Sequence, residues 1–307
     1  MWKTIIVNKG EKLAIRNNWL VVYCNELEQK IPVADIYALV LDNAAASVSV
    51  SVLSTLTLAG AHIYYCDSNH LPVSVSYPLN TYYKPLSVIS KQINMTEILK
   101  DKLWQKIVKQ KIENQALCLK YRKIDSEKFD TLLSISKCVK DGDANNREAV
   151  AAKKYFSYLF GTVFKRSDEN DITNSALNYG YSIMRSSVGK SLAAHGYNGI
   201  LGIHHKNESN PFNLADDLME PLRPVVDMWV DTNCEELFET LTKSNRRDLI
   251  SLVNMPINFG NKKMRIRYAI DMYIKSLTSA INGENADLFT IPKLLPLDDF
   301  YEDDLDG

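Results

Sequence analysis

The sequence is divided into two parts of different texture by SYPLNTYYKPLSV, residues 76–88. Two prolines and several polar residues interrupt the chain here, which is typical of a linker. Before it come short runs rich in β-branched and aromatic residues, such as TIIVN, KLAIRNNWLVVYC and HIYYCD, and these predict strands. After it come long segments with helical periodicity, and no proline interrupts the sequence between Pro85 and Pro211.

These patterns predict an α+β protein, in which a small β-rich N-terminal domain is followed by a larger all-α C-terminal domain. The expected parts are the β-rich domain over 1–75, the linker over 76–91, the helical domain over 92–297 and an acidic, disordered tail over 298–307. The segment 47–60 is ambiguous because SVSVSV alternates like a strand while its larger side chains also share one helical face, and we favour a helix. Helices are predicted over 95–123, 126–140, 146–164, 174–194, 214–230, 234–253 and 261–282.

Clustered positive charge predicts a surface that binds nucleic acid. The net charge is −1, but residues 298–307 contain six acidic residues and no basic one, so the rest of the chain is at +5. Residues 101–123 contain seven Lys or Arg against two acids, and residues 261–268 contain four bases and no acid. Such stripes favour phosphate binding, although each of them can also be a solvated helix face.

Cysteine usage and apolar patterning indicate a cytoplasmic protein. The five cysteines are odd in number and no two are spaced as C-x-x-C, which argues against a disulfide framework or a zinc knuckle. Residues 1–12 lack the apolar run of a signal peptide. The uncharged segment 44–65 is rich in Ser and Thr, so we expect no membrane span.

Glu148 lies close to the start of a predicted helix in DANNREAVAAKKYFSYLFG, residues 143–161. If Asn145 caps this helix, Glu148 occupies the third helical position, where a glutamate closes a capping box. In the alternative interpretation the carboxylate lies at the positive end of the helix dipole, stays ionised and holds a divalent cation. The residues by themselves leave both interpretations open.

A second concentration of reactive groups is GILGIHHKNESNPFNLADDLMEPLRP, residues 199–224. His205 by itself fits a partly buried structural histidine, and the carboxylates fit an exposed helical pair. Pro221, however, disfavours helical geometry at Glu220, so a short turn is expected to end there as the next helix opens. A carboxylate held by stiff backbone on both sides suits a metal ligand, while Arg223 can pair with one of the acids.

A possible nucleotide-binding loop is rejected. VGKSLAA, residues 188–194, contains Gly-Lys-Ser, but Met184 stands in the place of the first glycine of a phosphate loop. The setting is also the middle of a predicted helix, so no phosphate-binding loop is expected.

Three motifs together resemble a known family. They are NREAVAAKKYF with Glu148, NSALNYGYSIM at 174–184, and His205 followed fifteen residues later by the glutamate of DLMEPLRPVVD. With these motifs the chain resembles the CRISPR-associated spacer-acquisition integrase, the catalytic subunit of the CRISPR adaptation complex, and looks most like the versions from type II systems. The resemblance covers almost the whole chain, and its helical-domain motifs are the specific ones.

The resemblance implies a metal site formed by Glu148, His205 and Glu220, with Mg²⁺ or Mn²⁺ as the cofactor. His204 would change the spacing to sixteen, so the imidazole is assigned to His205. Many family members have Asp where this chain has Glu220, which gives the ligand a longer reach. Supporting or DNA-contacting roles are assigned to four further residues at recurrent positions, Asn146, Tyr179, Asp217 and Arg223.

The implied activity is metal-dependent DNA integration by transesterification. The 3′-OH of a short foreign DNA fragment attacks the repeat ends of a CRISPR array and inserts a new spacer, without ATP. Implied partners are double-stranded DNA as spacer precursor and repeat, a second copy in a homodimer formed by the β-rich domain, the small non-catalytic adaptation subunit and further type II CRISPR proteins. The setting implied is the prokaryotic cytoplasm and antiviral defence.

Two other functions fit the same residues. A metal-dependent nuclease on branched DNA would use water in place of the 3′-OH, so only its product, shortened strands, separates it from the integrase. A non-catalytic DNA-binding scaffold would use Glu148 as a cap and His205 as a core residue. Replacing Glu148 with Gln separates the scaffold from both enzymes, because a cap tolerates the amide whereas a metal site loses activity.

Overall fold

The computed structural model describes residues 3–8, 11–24, 27–43, 45–68, 70, 72–76 and 84–296. The chain divides into two compact units, Met1–Thr81 and Tyr82–Gly307. The first contains mainly strands and the second mainly helices, which confirms the predicted α+β class. Part of the predicted linker over 76–91 lies outside the described residues, and its last residues already belong to a helix that begins at Pro85. The predicted acidic tail over 298–307 also lies outside them.

The N-terminal unit contains two sheets. Its strands are β1 (Lys3–Val7), β2 (Lys12–Arg16), β3 (Trp19–Cys24), β4 (Leu27–Pro32), β5 (Ile36–Leu41), β6 (His62–Cys66) and β7 (Pro72–Ser76). One sheet has the order β1-β5-β6-β7, with β5 parallel to β1 and β6 and with β7 antiparallel to β6. The other is the antiparallel meander β2-β3-β4, and residues of both sheets share one apolar core.

The ambiguous segment forms a helix, as favoured from the sequence. Helix α1 (Val50–Leu58) connects the parallel strands β5 and β6, and Ser49 caps it by accepting a hydrogen bond from the backbone of Val52. Val52 and Leu56 are buried on its inner face. Every residue of β5 is buried, which is the pattern expected of a central parallel strand covered on both faces.

The C-terminal unit is organised around one long helix. Its helices are α2 (Pro85–Ile93), α3 (Glu97–Tyr121), α4 (Ser126–Lys137), α5 (Arg147–Phe160), α6 (Ile172–Ala194), α7 (Asn213–Met219), α8 (Arg223–Thr232), α9 (Lys243–Ser251) and α10 (Ile266–Asn282). Helix α3 packs against α4, α5, α8 and the short 3-10 turn Glu220–Leu222 that separates α7 from α8. Among the described residues, none of the helices is both long and apolar enough to span a membrane.

Two predicted helices are wrong over part of their length. The prediction for 261–282 fails at its start, where β9 (Lys262–Arg265) pairs with β8 (Pro256–Phe259) in a hairpin. Gly260 adopts φ +60° in the two-residue loop of this hairpin, and a glycine at that position favours a tight turn over a helix. The helix predicted over 234–253 is reduced to α9, because Thr242 and Asn245 form a capping box that starts the helix there.

Candidate functional site

Helix α5 is capped without any contribution from the Glu148 side chain. Asp143 accepts the first two backbone N–H groups of the helix, from Arg147 at 2.8 Å and from Glu148 at 3.0 Å. The side chain of Asn145 donates to a backbone carbonyl outside the helix, and Asn146 is the left-handed N-cap residue with φ 51° and no side-chain cap bond. The capping-box interpretation of Glu148 is therefore wrong, and its carboxylate is left to interact elsewhere.

The carboxylates of Glu148 and Glu220 both contact one lysine. Lys111, which lies on α3, places its Nζ 2.6 Å from Glu148 Oε1 and 2.5 Å from Glu220 Oε2. Because both oxygens contact the same nitrogen, they lie at most about 5.1 Å apart. The side chains of Lys111 and Glu220 are 9% and 5% exposed, whereas that of Glu148 is 28% exposed. Acids from α5 and from the turn after α7 thus converge around one positive charge.

The turn that carries Glu220 is fixed by a buried amide on the same face of α3. Asn114 is fully buried and donates from Nδ2 to the carbonyl of Pro221 at 2.7 Å and to that of Pro292 at 3.1 Å. Its Oδ1 accepts the backbone N–H of Leu294 at 3.1 Å. One turn of α3 therefore holds both the carboxylate of Glu220, through Lys111, and the backbone that follows it.

Two cations, the buried Lys111 and the partly buried Arg223, keep the Glu220 carboxylate ionised. Arg223 Nε lies 2.8 Å from Glu220 Oε1, and its guanidinium lies 4.5 Å from the centre of the Tyr181 ring. Burial alone would raise the pKa of Glu220, but the charges of Arg223 and Lys111 outweigh it and hold that pKa at about 2. Burial likewise would lower the pKa of Lys111, and the charges of Glu220 and Glu148 raise it instead.

His205 is oriented by a carboxylate that is completely buried. Asp217 accepts backbone N–H groups from Ile203 at 2.5 Å, His204 at 3.0 Å and His205 at 3.1 Å, which fixes the loop before α7. It also lies 2.6 Å from His205 Nδ1, and this hydrogen bond is the main reason that the pKa of His205 is raised. With Nδ1 engaged, Nε2 is the ring nitrogen left for a cation or a substrate.

Trp104 connects this histidine loop to α3. Its ring stacks on His204 with a centroid distance of 4.2 Å and an interplanar angle of 1°, and it meets His205 edge-on at 5.8 Å. Trp104 and Lys111 lie two turns apart on α3, which is about 10 Å of helix axis. One face of α3 therefore contacts both the histidine loop and the paired glutamates.

The sequence reasoning missed the three α3 residues that organise the site. Trp104, Lys111 and Asn114 lie on one face of this helix, and all three are buried. A signal for Lys111 exists in the sequence, because it falls on the apolar stripe of α3 between Val108 and Ile112. A lysine in such a stripe is rarely buried unless it is paired with an acid.

The described residues contain no ready-made metal site of three ligands. Nowhere among them do three His, Cys, Asp or Glu side chains lie close enough together to hold one ion. Glu148 and Glu220 are brought together, whereas His205 is held by Asp217 instead. The two carboxylates nevertheless fit a cation, since both already contact the ammonium of Lys111.

A second buried network lies behind Arg223. Tyr181 donates a hydrogen bond to Asp227, which is 1% exposed, and burial raises the pKa of Asp227 to about 6. Arg166 contacts the ring of Tyr181 as well, at 5.5 Å from its centre. Tyr179, one of the residues singled out from the sequence, is buried on the same helix, α6. Tyr181 therefore connects Arg223 to the buried carboxyl of Asp227.

The basic stripe of α3 is only partly a surface feature. Lys111 is buried between the two glutamates, so the expectation of a solvent-facing stripe is wrong for this residue. Arg122 is partly exposed and is paired with Asp231. Exposed bases remain on α3 and its C-terminal end at Lys102, Lys109, Lys120 and Lys123, and on the β8–β9 hairpin at Lys262, Lys263 and Arg265.

Comparison with known sequences gives the class and then the family. The family described as "CRISPR associated protein Cas1" matches residues 4–238. The chain is 35% identical over 306 residues to "CRISPR-associated endonuclease Cas1" of Neisseria meningitidis serogroup C (strain 8013), covering 98% of this chain and 99% of the relative. These matches assign the chain, with its β-rich unit, helical unit and paired carboxylates, to the class of CRISPR-associated proteins. More narrowly, the chain belongs to the Cas1 family.

Solved structures share this fold. A chain of the "Cas6-RT-Cas1--Cas2 complex" superposes with a TM-score of 0.71 at 18% identity, covering 95% of this chain and 36% of that longer chain. A "Casposase bound to integration product" gives a TM-score of 0.66 at 18% identity and covers 92% of this chain and 91% of that one. At such identities the likeness establishes the architecture alone.

Proposed function

We propose that this chain is a metal-dependent DNA integrase that inserts new spacer DNA into a CRISPR array. The proposed reaction is a transesterification, in which a 3′-OH of the incoming fragment attacks a phosphodiester at a repeat end. Membership of the Cas1 family supports it, as does the likeness in fold to a casposase described as bound to its integration product. The observation that carries it is the convergence of Glu148 and Glu220 on one cation.

The proposed metal ligands are Glu148, Glu220 and the Nε2 atom of His205. A Mg²⁺ or Mn²⁺ ion at these groups would stabilise the negative charge of the phosphodiester transition state and lower the pKa of a bound hydroxyl. A mixed nitrogen and oxygen set accepts Mn²⁺ readily, and the two carboxylates suit Mg²⁺ as well. Asp217 orients the imidazole, and Arg223 holds one oxygen of Glu220 while the other contacts Lys111.

The proposed substrate is double-stranded DNA, as spacer precursor and as repeat. The exposed lysines of α3 and the bases of the β8–β9 hairpin are proposed to contact phosphates, which gives binding that weakens with salt and depends little on sequence. Proposed protein partners are a second copy of the chain, paired through the β-rich unit, and a small non-catalytic adaptation subunit. The solved complex whose printed name joins Cas1 to Cas2 supports the second of these.

A second function is favoured by the name of the Neisseria relative, which is called an endonuclease. In that case water attacks in place of the 3′-OH, and branched DNA is the proposed substrate. The same ligands would serve both reactions, because a metal-bound water and a metal-bound 3′-OH are activated alike.

The product of the reaction separates these functions. A short labelled duplex is incubated with a repeat-bearing plasmid, the protein and Mn²⁺ or Mg²⁺, and the DNA is resolved under denaturing conditions. The proposal predicts label joined covalently to plasmid strands without ATP. Shortened strands without joined label would favour the nuclease, and retained binding with neither product would favour a scaffold.

A further inference from the structure

Lys111 occupies the space between the two glutamates. Its ammonium makes short contacts with an oxygen of each acid, at 2.6 Å and 2.5 Å, and its side chain is 9% exposed. Two carboxylates this close together in a largely buried place repel each other and are costly unless a cation separates them. The lysine therefore provides, from within the chain, the charge that holds the pair together.

Electrostatic repulsion disfavours the presence of both the Lys111 ammonium and a divalent ion at the two glutamates. Glu148 and Glu220 are balanced by Lys111 and Arg223. A divalent ion added to this balanced set would place two further positive charges beside a buried ammonium, and such repulsion is strong where water is excluded. If Lys111 leaves, the site keeps one net positive charge, which suits an incoming phosphate.

Lys111 is the cation better able to leave. Arg223 is held on two sides, by Glu220 Oε1 at 2.8 Å and by the face of the Tyr181 ring at 4.5 Å. Lys111 makes its ion pairs with the same two carboxylates that the metal would take. Its stem of four methylene groups is flexible, so the ammonium can move several ångströms while the backbone of α3 stays in place.

We infer that Lys111 is a placeholder for the metal: its ammonium keeps Glu148 and Glu220 together in the metal-free protein and leaves the space between them when a divalent ion binds. The inference rests on the proposed function, because it needs the ion to bind at these carboxylates. Lys111 is thus a positioning residue that also sets how tightly the ion is held.

Calorimetric titration of the full chain with Mn²⁺ tests this inference. The Lys111→Met variant keeps most of the length of the side chain and removes the competing charge, so we expect Mn²⁺ to bind roughly tenfold more tightly or better. In the absence of metal the same variant should unfold at a lower temperature than the wild type, because the two acids lose their cation. Mn²⁺ should therefore raise its melting temperature by more than it raises that of the wild type.

Lys106→Met is the matched control on the same helix. Lys106 is partly buried and donates to the carbonyl of Ala286 at 2.7 Å, so it also has a structural partner but contacts neither glutamate. Its Mn²⁺ affinity should equal that of the wild type. Lys111→Gln, whose amide still donates to one carboxylate, replaces Lys111→Met if the latter does not fold.

The outcomes separate the two proposals. Unchanged or weaker Mn²⁺ binding by both Lys111 variants, beside wild-type binding that Glu148→Gln abolishes, would overturn the placeholder while the metal site stands. Wild-type protein that binds no Mn²⁺, or binds it equally well after Glu148→Gln and Glu220→Gln, would remove the proposed metal function and the placeholder with it.

Discussion

His205 Nδ1 lies 2.6 Å from Oδ1 of Asp217, a carboxylate with no exposed surface. The same carboxylate accepts three consecutive backbone N–H groups of the histidine loop. The imidazole is therefore fixed in orientation before any ligand binds, and its neutral form carries the proton on Nδ1 and the lone pair on Nε2. Carboxylates that hold a metal-ligating histidine in this way have large effects on metal affinity.

Replacing Asp217 with Asn should weaken Mn²⁺ binding roughly 10- to 100-fold, because the amide accepts fewer of these hydrogen bonds and its NH₂ group opposes the Nδ1–H tautomer. The free energy of unfolding should fall by roughly 1–3 kcal/mol. Calorimetry with Mn²⁺ and urea unfolding measure the two effects. Asp216→Asn is the neighbouring control. Unaltered Mn²⁺ affinity in Asp217→Asn would show that the orientation of His205 does not matter to the ion.

Replacing Asn114 with Ala should destabilise the helical unit by roughly 2–4 kcal/mol, since two carbonyls and one N–H lose their partner in a dry interior. The turn that carries Glu220 should loosen as well. Urea unfolding provides the measurement. Asn94→Ala is the matched control, because Asn94 is exposed and donates to a carbonyl of its own helix, and it should change stability by less than about 0.5 kcal/mol. Equal stability of the two variants would mean that the buried amide does not hold the turn.

Asp227 predicts a pH dependence of stability. Its folded pKa is raised by burial from an ordinary value of 3.8 to about 6, so the native carboxyl binds a proton more readily than the unfolded one. The contribution of this group to stability is therefore fully present below the unfolded pKa and is lost as the pH rises through about 6.

The free energy of unfolding of Asp227→Asn, relative to that of the wild type, should therefore rise by roughly 1–3 kcal/mol between about pH 4 and about pH 7. The variant carries a neutral side chain at every pH, so its own unfolding free energy lacks this contribution. Urea unfolding of both proteins at several pH values measures the difference. A difference that stays flat, or one that shrinks as the pH rises, would contradict the raised pKa.

Replacing Glu148 with Gln should lower the rate of DNA joining at least about 100-fold while leaving the protein folded. The neutral amide holds a divalent ion poorly, but it still occupies the same space beside Lys111. Glu127→Gln is the closest control, because Glu127 is likewise the second residue of its helix, α4, and is exposed. If the two variants join DNA at the same rate, the Glu148 carboxylate interacts with the helix dipole and does not hold the ion.

Local patterns in the sequence were sufficient to predict the α+β class, because alternation and helical periodicity are properties of neighbouring residues. They also favoured helix α1 and a break near Pro221. They were insufficient for the β8–β9 hairpin, where a single glycine decides the turn. Charge clustering assigned Lys111 to a basic surface, because sequence proximity gives no sign that residue 111 meets residues 148 and 220.

The candidate site shows the same division. Family resemblance could nominate Glu148, His205 and Glu220, but the supporting contacts depend on packing between distant segments. Asp217 was expected to have a supporting role, and its specific partners in the histidine loop follow only from the folded structure. The roles of Trp104 and Asn114 could not be predicted, because they depend on contacts with His204 and Pro221, which are distant in the sequence.

The central claim is that Glu148, His205 and Glu220 bind one divalent ion, and anomalous diffraction from crystals grown with Mn²⁺ tests it most directly. The account predicts one strong manganese peak, with an oxygen of each glutamate and His205 Nε2 at about 2.0–2.3 Å, and with the ammonium of Lys111 moved away. A manganese peak at other residues, or no peak while Lys111 remains between the two glutamates, would contradict it.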